Sequence, residues 1–390
     1  MSKLKYFVIL FVFLTSGVFG QTAIVQTYLQ RFITADLLGK IEILNEASID
    51  DALDESAVQL YEYALHFVLD NYSQIDDLHD MNSIVEISIR NLSRFESMES
   101  MNLLWQLFLE YPDIQTEVEI LVTFGIMGKG NSEIVKNIND YLWEKNLLFI
   151  SGESVDYKII SACISALMEL GDSSSYPVIF SIICSGYPEI IAFEAYGALE
   201  NIPGNLHHFL LTVIENNPPD EKFAAFRIVV ESERLTISER GQLAEIALEL
   251  SLLTGVSNIY LDMMRYDAVL VLSQLRWTRA NALAIRNYYR VQADYSQGAV
   301  SKERLVQAIL CLGAVGNSDA ALALGLQLGL IHARTVSTNN YDAEITLAIV
   351  QSLGLIGDNA AFDNLLYISH LPYSENIKAA AREAVDRLRW

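Results

Sequence analysis

The chain has 390 residues, 52% of them apolar, so it has material for a sizeable core and does not read as disordered. Forty-nine acidic residues oppose 26 basic ones, a net charge of −23, which argues against a general nucleic-acid binder, because phosphate contacts need clustered Lys and Arg. Three cysteines are too few for a disulfide scaffold.

At the start, Lys3 and Lys5 precede an unbroken apolar run from Tyr6 to Leu14. Ser16, Gly17, Val18 and Gly20 then supply the small residues of a cleavage site before Gln21. The run is shorter than the roughly 20 residues a membrane helix needs. Residues 1–20 are therefore expected to be a cleaved secretory signal, with retention as an anchor the alternative. Loss of the two lysines takes the mature charge to −25, and no second membrane span is apparent. The expected location is periplasmic or extracellular.

Residues 21–56 carry the weakest pattern and are expected to cover an exposed terminal core as an irregular cap. Glu46, Asp50, Asp51, Asp54 and Glu55 concentrate negative charge there. No glycine lies between Ala47 and Glu55, so the stretch does not read as a calcium loop. It reads as a solvated helix start, where carboxylates favour the positive end of the helix dipole. Ala57–Leu69 and Met81–Leu92 are expected helices, and Met101–Tyr111 is a third that ends at Pro112. His79, within Asp76-Asp77-Leu78-His79-Asp80, has carboxylates on both sides, as divalent-metal sets do. Adjacent loop residues seldom converge on one centre, so this segment reads as a solvated acidic loop.

From residue 117 a motif recurs. Phe124-Gly125-Ile126-Met127-Gly128 is echoed by Leu167-Met168-Glu169-Leu170-Gly171-Asp172 and, more weakly, by Ala198-Leu199-Glu200-Asn201-Ile202-Pro203-Gly204. Ile160, Cys163, Ile164, Leu167 and Leu170 lie at helical spacing and form one apolar stripe. Gly171 then stops the helix, because a C-terminal cap takes the left-handed backbone that glycine tolerates. Asp172 and Ser173 are placed to cap the next apolar segment, Val178 to Cys184.

Between 205 and 300, Phe209–Ile214, Phe223–Val230, Leu243–Leu253, Ala268–Leu275 and Asn281–Val291 are five further expected helices. The motif returns as Leu312-Gly313-Ala314-Val315-Gly316-Asn317 and again as Leu353-Gly354-Leu355-Ile356-Gly357-Asp358. Gly357, Asp358 and Asn359 separate Ile345–Ile356 from Phe362–Ile368 as Gly171 and Asp172 do earlier. Arg276 stands one period before Gly316 and marks a degenerate copy. The clustered glycines are read as helix punctuation.

A period near 40 residues with two antiparallel apolar helices per copy signals a solenoid, since neither helix can bury itself alone. No sustained period-two alternation suggests strands. The expected fold class is all-α, an α-α superhelix of roughly eight to ten helix pairs. The expected organisation is the signal over 1–20, a helical cap with degenerate repeats over 21–116, and the repeat solenoid over 117–390.

Leu353-Gly354-Leu355-Ile356-Gly357-Asp358-Asn359-Ala360, followed by Leu365-Leu366, resembles the inter-helix turn of HEAT and HEAT-like (armadillo-type) repeats. Ile377-Lys378-Ala379-Ala380-Ala381-Arg382-Glu383-Ala384 is similar to the first helix of such a repeat, whose small residues favour close stacking. The resemblance is clearest over 305–390 and extends to 117–204. It implies a right-handed superhelix and a scaffolding or binding role, and it carries over no catalytic residues.

No Gly-x-Ser-x-Gly elbow, His-Glu-x-x-His pair or phosphate-cradling glycine loop is present, so no catalytic residue, metal ligand or cofactor is assigned. His207 and His208 point about 100° apart on a helix and are not placed to share one ion. Glu231, Glu233 and Glu239 are the kind of triplet an acidic chain carries by chance. Cys163 and Cys184 are near enough in sequence for a disulfide, although three thiols buried singly is the plainer reading.

One segment departs from the acidic background. Between Asp262 and Ala293, Arg265, Arg276, Arg279, Arg286 and Arg290 outnumber Asp262 and Asp267, with Trp277, Tyr288 and Tyr289 interleaved. Arg and aromatic side chains dominate binding hot spots, so Arg276, Trp277, Arg279, Arg286, Tyr289 and Arg290 are the candidate binding residues. The competing reading pairs them with the protein's own carboxylates. The function expected is an exported, non-enzymatic scaffold that holds a protein or peptide on its concave surface. The alternative is an envelope carrier or enzyme cradling a lipid, glycan or cofactor in the groove.

Overall fold

The computed structural model describes residues 24–75, 78–253 and 258–389. The expected signal, residues 1–20, lies outside the described residues, as do Asp76 and Asp77 of the acidic loop. The chain divides into two compact units, Met1–Gly204 and Asn205–Trp390. Among the described residues both are helical and neither contains a β-strand.

The first unit holds α1 (24–34), α2 (Leu37–Ser48), α3 (Val58–Asn71), α4 (Leu78–Arg94), α5 (Met101–Glu110), α6 (Ile114–Met127), α7 (Ser132–Ile150), α8 (Tyr157–Leu170), α9 (Tyr176–Cys184) and α10 (Glu189–Asn201). From α2 to α10 each even-numbered helix packs on the next even one; α3 packs on α5 and α7 on α9, while α5 and α7 meet through Trp105, Phe108 and Tyr141. The two layers join through the pairs α3–α4, α5–α6, α7–α8 and α9–α10.

The second unit repeats the scheme. It holds α11 (Leu206–Asn216), α12 (Pro219–Glu231), α13 (Ile237–Leu253), α14 (Ile259–Leu275), α15 (Asn281–Ser296), α16 (Lys302–Val315), α17 (Ser318–Thr338), α18 (Ala343–Ile356), α19 (Phe362–Tyr367) and α20 (Glu375–Asp386). Even helices again pack on even and odd on odd. This is α-α solenoid packing, with about ten helix pairs over the two units.

Local chemistry explains the repetition. Every copy of the motif falls at the end of an even helix: α6, α8, α10, α16 or α18. Gly171 and Gly357 end α8 and α18 in the left-handed region, at φ 69° and 70°. Arg276 ends α14 at φ 49°, so the degenerate copy keeps the turn without glycine, at a cost of about 1 kcal/mol. Asp172 and Asp358 accept from the N–H of Ser174 (2.8 Å) and Ala360 (2.9 Å) and so cap the short 3-10 turns that lead into α9 and α19. The stripe of Ile160, Cys163, Ile164, Leu167 and Leu170 is buried throughout.

The first glycine of the motif is not punctuation, and here the sequence reading is corrected. A Cβ on Gly313 of α16 would lie 2.8 Å from Ser352 of α18, and one on Gly354 would lie 2.9 Å from Ala384 of α20. These glycines let successive even helices touch, since packed interiors leave no room for an added carbon. Ala384 belongs to the C-terminal segment whose small residues suggested close stacking.

Residues 24–48, the weakest of the patterns, form two helices joined by a buried lysine. The Lys40 ammonium donates to the carbonyls of Phe32 and Ala35, the latter at 2.8 Å, and lies 4.7 Å and 4.8 Å from the ring centres of Phe32 and Phe67. It thereby satisfies carbonyls that the end of α1 leaves free. Cys163 and Cys311 are buried and Cys184 is exposed, and no disulfide joins any of them. Single burial therefore holds for two of the three cysteines and not for Cys184.

Candidate binding cleft

The arginine–aromatic segment of the second unit separates into three groups. At the turn after α14, the Trp277 Nε1–H donates to Glu245 Oε2 of α13 at 2.7 Å. The Trp277 ring lies over Gly241, where a Cβ would come within 2.5 Å of it. Arg279 reaches the same carboxylate at 3.5 Å and stands 5.6 Å from the centre of the Trp277 ring. These two residues follow the competing reading, internal pairing. Arg265 and Tyr288 point inward and are buried, and Arg290 is half-buried. Arg276 at the cap, and Arg286 and Tyr289 on one face of α15, are exposed. Of the six candidate residues, Trp277 and Arg279 are thus engaged by Glu245, Arg290 is half-buried, and Arg276, Arg286 and Tyr289 are exposed.

A cleft of about 470 Å³ opens instead in the first unit, among α5, α6, α7 and the start of α8. Pro112 ends α5, and Asp113 caps α6 by accepting from the Thr116 N–H at 2.8 Å, so the chain turns sharply at the rim. The floor is aromatic: Phe108 meets Tyr141 edge-on at 4.8 Å, and Trp105, outside the cleft lining, stacks on Phe108 at 5.0 Å. Glu117 of α6, Glu144 of α7 and Asp156, the cap of α8, stand on the walls with Lys145. Three carboxylates against one ammonium leave a local charge of −2.

Neither a protein-family model nor a curated protein matches this chain.

The electrostatics follow from partial burial. Burial pushes the Glu117 carboxyl above its ordinary range; Lys145 pulls it down, while Asp156 and Asp113 add to the rise. Burial likewise raises the Tyr141 phenol, with neighbouring acidic groups adding to it. Lys145 holds its ammonium 4.8 Å from the centre of the Tyr141 ring, the geometry of a cation–π contact. The fully buried Cys163 thiol of α8, which feels Glu117 and Lys145, is pushed up by burial and stays protonated. The arrangement suits an organic cation: apolar and aromatic surface for its body, carboxylates for its charge.

A second depression, of about 480 Å³, lies over the turns after α6, α8 and α10, beside Lys129, Glu169 and Pro203. It has no aromatic floor. Of the other residues weighed from sequence, Glu231 pairs with Arg227, and Glu239 accepts from Thr236 at the start of α13. His207 and His208 sit in the first turn of α11, half-buried and exposed respectively. Among the described residues no three His, Cys, Asp or Glu side chains are grouped to hold a metal ion, and no helix is long and apolar enough to cross a membrane.

Sequence reasoning missed the cleft. Its one linear signal is Tyr141 with Lys145, four apart and therefore on one helix face. Glu144 and Leu148 share α7 with them, and the other members come from α5, α6, α8 and the loop before α8.

Proposed function

We propose that this chain is an exported, non-enzymatic α-solenoid scaffold that holds a protein or peptide partner, and that a basic side chain of the partner enters the cleft formed by α5–α8. The observation that carries the reading is the combination, in one cleft of about 470 Å³, of an aromatic floor with three carboxylates. The net charge of −23 supports it, because long-range steering then favours basic partners. The resemblance to HEAT-like repeats supports a scaffolding role. Of the 276–290 segment, Arg276, Arg286 and Tyr289 remain available as a further contact.

The test is calorimetric titration of the full chain with short peptides of one sequence that carry Lys, Arg, Gln or Glu at the centre. Lys and Arg peptides are expected to bind, the Gln peptide about tenfold more weakly, and the Glu peptide not measurably. Glu144→Gln removes one of the three carboxylates, so it should weaken the Lys peptide by up to about tenfold, or 1.4 kcal/mol. Equal binding of Glu and Lys peptides would overturn the proposal. Binding of free arginine amide as tight as that of any peptide would favour the carrier reading.

A further inference from the structure

The inward-facing arginine of the second unit carries a different conclusion. Arg265 of α14 is 6% exposed; its Nη2 pairs with Asp262 Oδ1 at 3.1 Å, while its Nη1 is buried with no hydrogen-bond partner. Asn287 of α15 is 3% exposed, and its Oδ1 also lacks a partner. Gln307 of α16 presents a third such atom, Oε1. All three residues line the same small cavity, whose volume is about 20 Å³.

Each buried polar atom left unpaired costs about 1–3 kcal/mol, and folded proteins keep only a few per hundred residues. Three on one cavity therefore define an occupant. It must accept one hydrogen bond, from Arg265, and donate two, to Asn287 and Gln307. A water molecule does this and needs roughly 10–15 Å³, which the cavity provides. Any larger organic ligand is too big.

The rival is a small anion. Arg290 and Arg304 act against the charge of Arg265 while Asp262 and Asp294 support it, so these five groups sum to only +1. Two of the three unpaired atoms are acceptors, which a halide would meet repulsively. Only if both amides were rotated by 180° would NH2 groups face the cavity and favour an anion.

We infer that the junction of α14, α15 and α16 binds a single structural water, held by Arg265, Asn287 and Gln307. The water ties three consecutive helices of the second unit through three atoms that otherwise have no hydrogen-bond partner.

Crystals of the full chain, grown with and without bromide, test the site. The expected result is one density peak about 2.7–3.2 Å from Arg265 Nη1, Asn287 Oδ1 and Gln307 Oε1, with no anomalous signal in bromide. A featureless cavity, or an anomalous bromide peak in it, would overturn the assignment. Gln307→Leu should lose or markedly weaken the peak. A peak that persists there at full strength would count against the role given to Gln307. Should this variant not fold, the wild-type crystals still decide between water, bromide and neither.

Discussion

The cleft of the first unit and the arginine–aromatic segment of the second are built from similar side chains turned in opposite directions. In the cleft, Phe108 and Tyr141 floor an open groove, with Glu117, Glu144 and Asp156 on its walls. In the second unit, Trp277 and Arg279 are drawn onto Glu245 of a neighbouring helix, and Arg265 is buried against Asp262. Local charge sign along the sequence is thus a poor guide to what a surface offers. A carboxylate 32 residues away decides whether Trp277 is a hot spot or part of the packing.

The largest expected effect tests that contrast directly. Trp277→Ala removes a half-buried indole from Gly241 and leaves Glu245 without the Nε1 donor. Large-to-small changes at fully buried aromatics cost about 3–5 kcal/mol, and partial exposure brings this to about 2–3 kcal/mol. The denaturant midpoint should fall accordingly, with binding of the Lys peptide unchanged. Unchanged stability together with lost binding would reverse the comparison and restore Trp277 to a binding surface.

The fold was legible for the same local reasons that make it stable. The stripe of Ile160, Cys163, Ile164, Leu167 and Leu170 states a helix face, and Gly171-Asp172 states its end and the next beginning. Even the turn at Arg276 is legible, because its place in the period implies one. Gly313 and Gly354 were misread because their reason lies on another helix, at Ser352 and Ala384. The cleft was illegible for a related reason. Phe108, Glu117, Tyr141 and Asp156 come from separate elements, and only stacking brings them to one groove. The Arg-rich segment, contiguous in sequence, looked like a site because nothing local reveals Glu245 above it.

A smaller effect distinguishes the two regions by the sign of their pH dependence. In the first unit, burial holds Glu117 above its usual 4.5, so the folded state binds the proton more tightly than the unfolded one. Its ionisation costs stability at neutral pH, and that cost vanishes as pH falls below about 4.5. Glu117→Gln should therefore stabilise the protein at pH 7, with no gain at pH 4.

In the second unit, His332 is buried, its Nε2 at 3.0 Å from the Asn364 carbonyl and its Nδ1 at 2.9 Å from the Tyr373 hydroxyl. The carbonyl can only accept, so Nε2 carries the proton and Nδ1 accepts from Tyr373. Burial lowers this histidine below 6.5, so its contribution is complete above pH 6.5 and is lost as pH falls below that value. His332→Gln should flatten that loss. A difference of one between folded and unfolded pKa is worth about 1.4 kcal/mol, and solvent screening reduces it for the half-exposed Glu117. Urea midpoints at pH 7.5, 5.5 and 4 read both; a shared sign would remove the distinction.

The smallest effect asks what an internally paired arginine contributes. The Arg279 side chain is 66% exposed, its contact with Glu245 is 3.5 Å, and it stands over Trp277. An ion pair this exposed is worth about 0–1 kcal/mol, and an exposed cation–π contact about 0.5–1 kcal/mol. Side-chain entropy offsets part of both, so Arg279→Ala should cost about 0.5 kcal/mol, less at high salt. Most of that cost should disappear in a Trp277→Ala background, because residues that act on a shared partner are not additive. Arg286→Ala, seven residues on, should cost nothing measurable, since Arg286 is exposed. Equal costs at Arg279 and Arg286 would mean that Glu245 does not organise the turn. The two arginines would then belong to one surface, as their membership of one Arg-rich segment suggests.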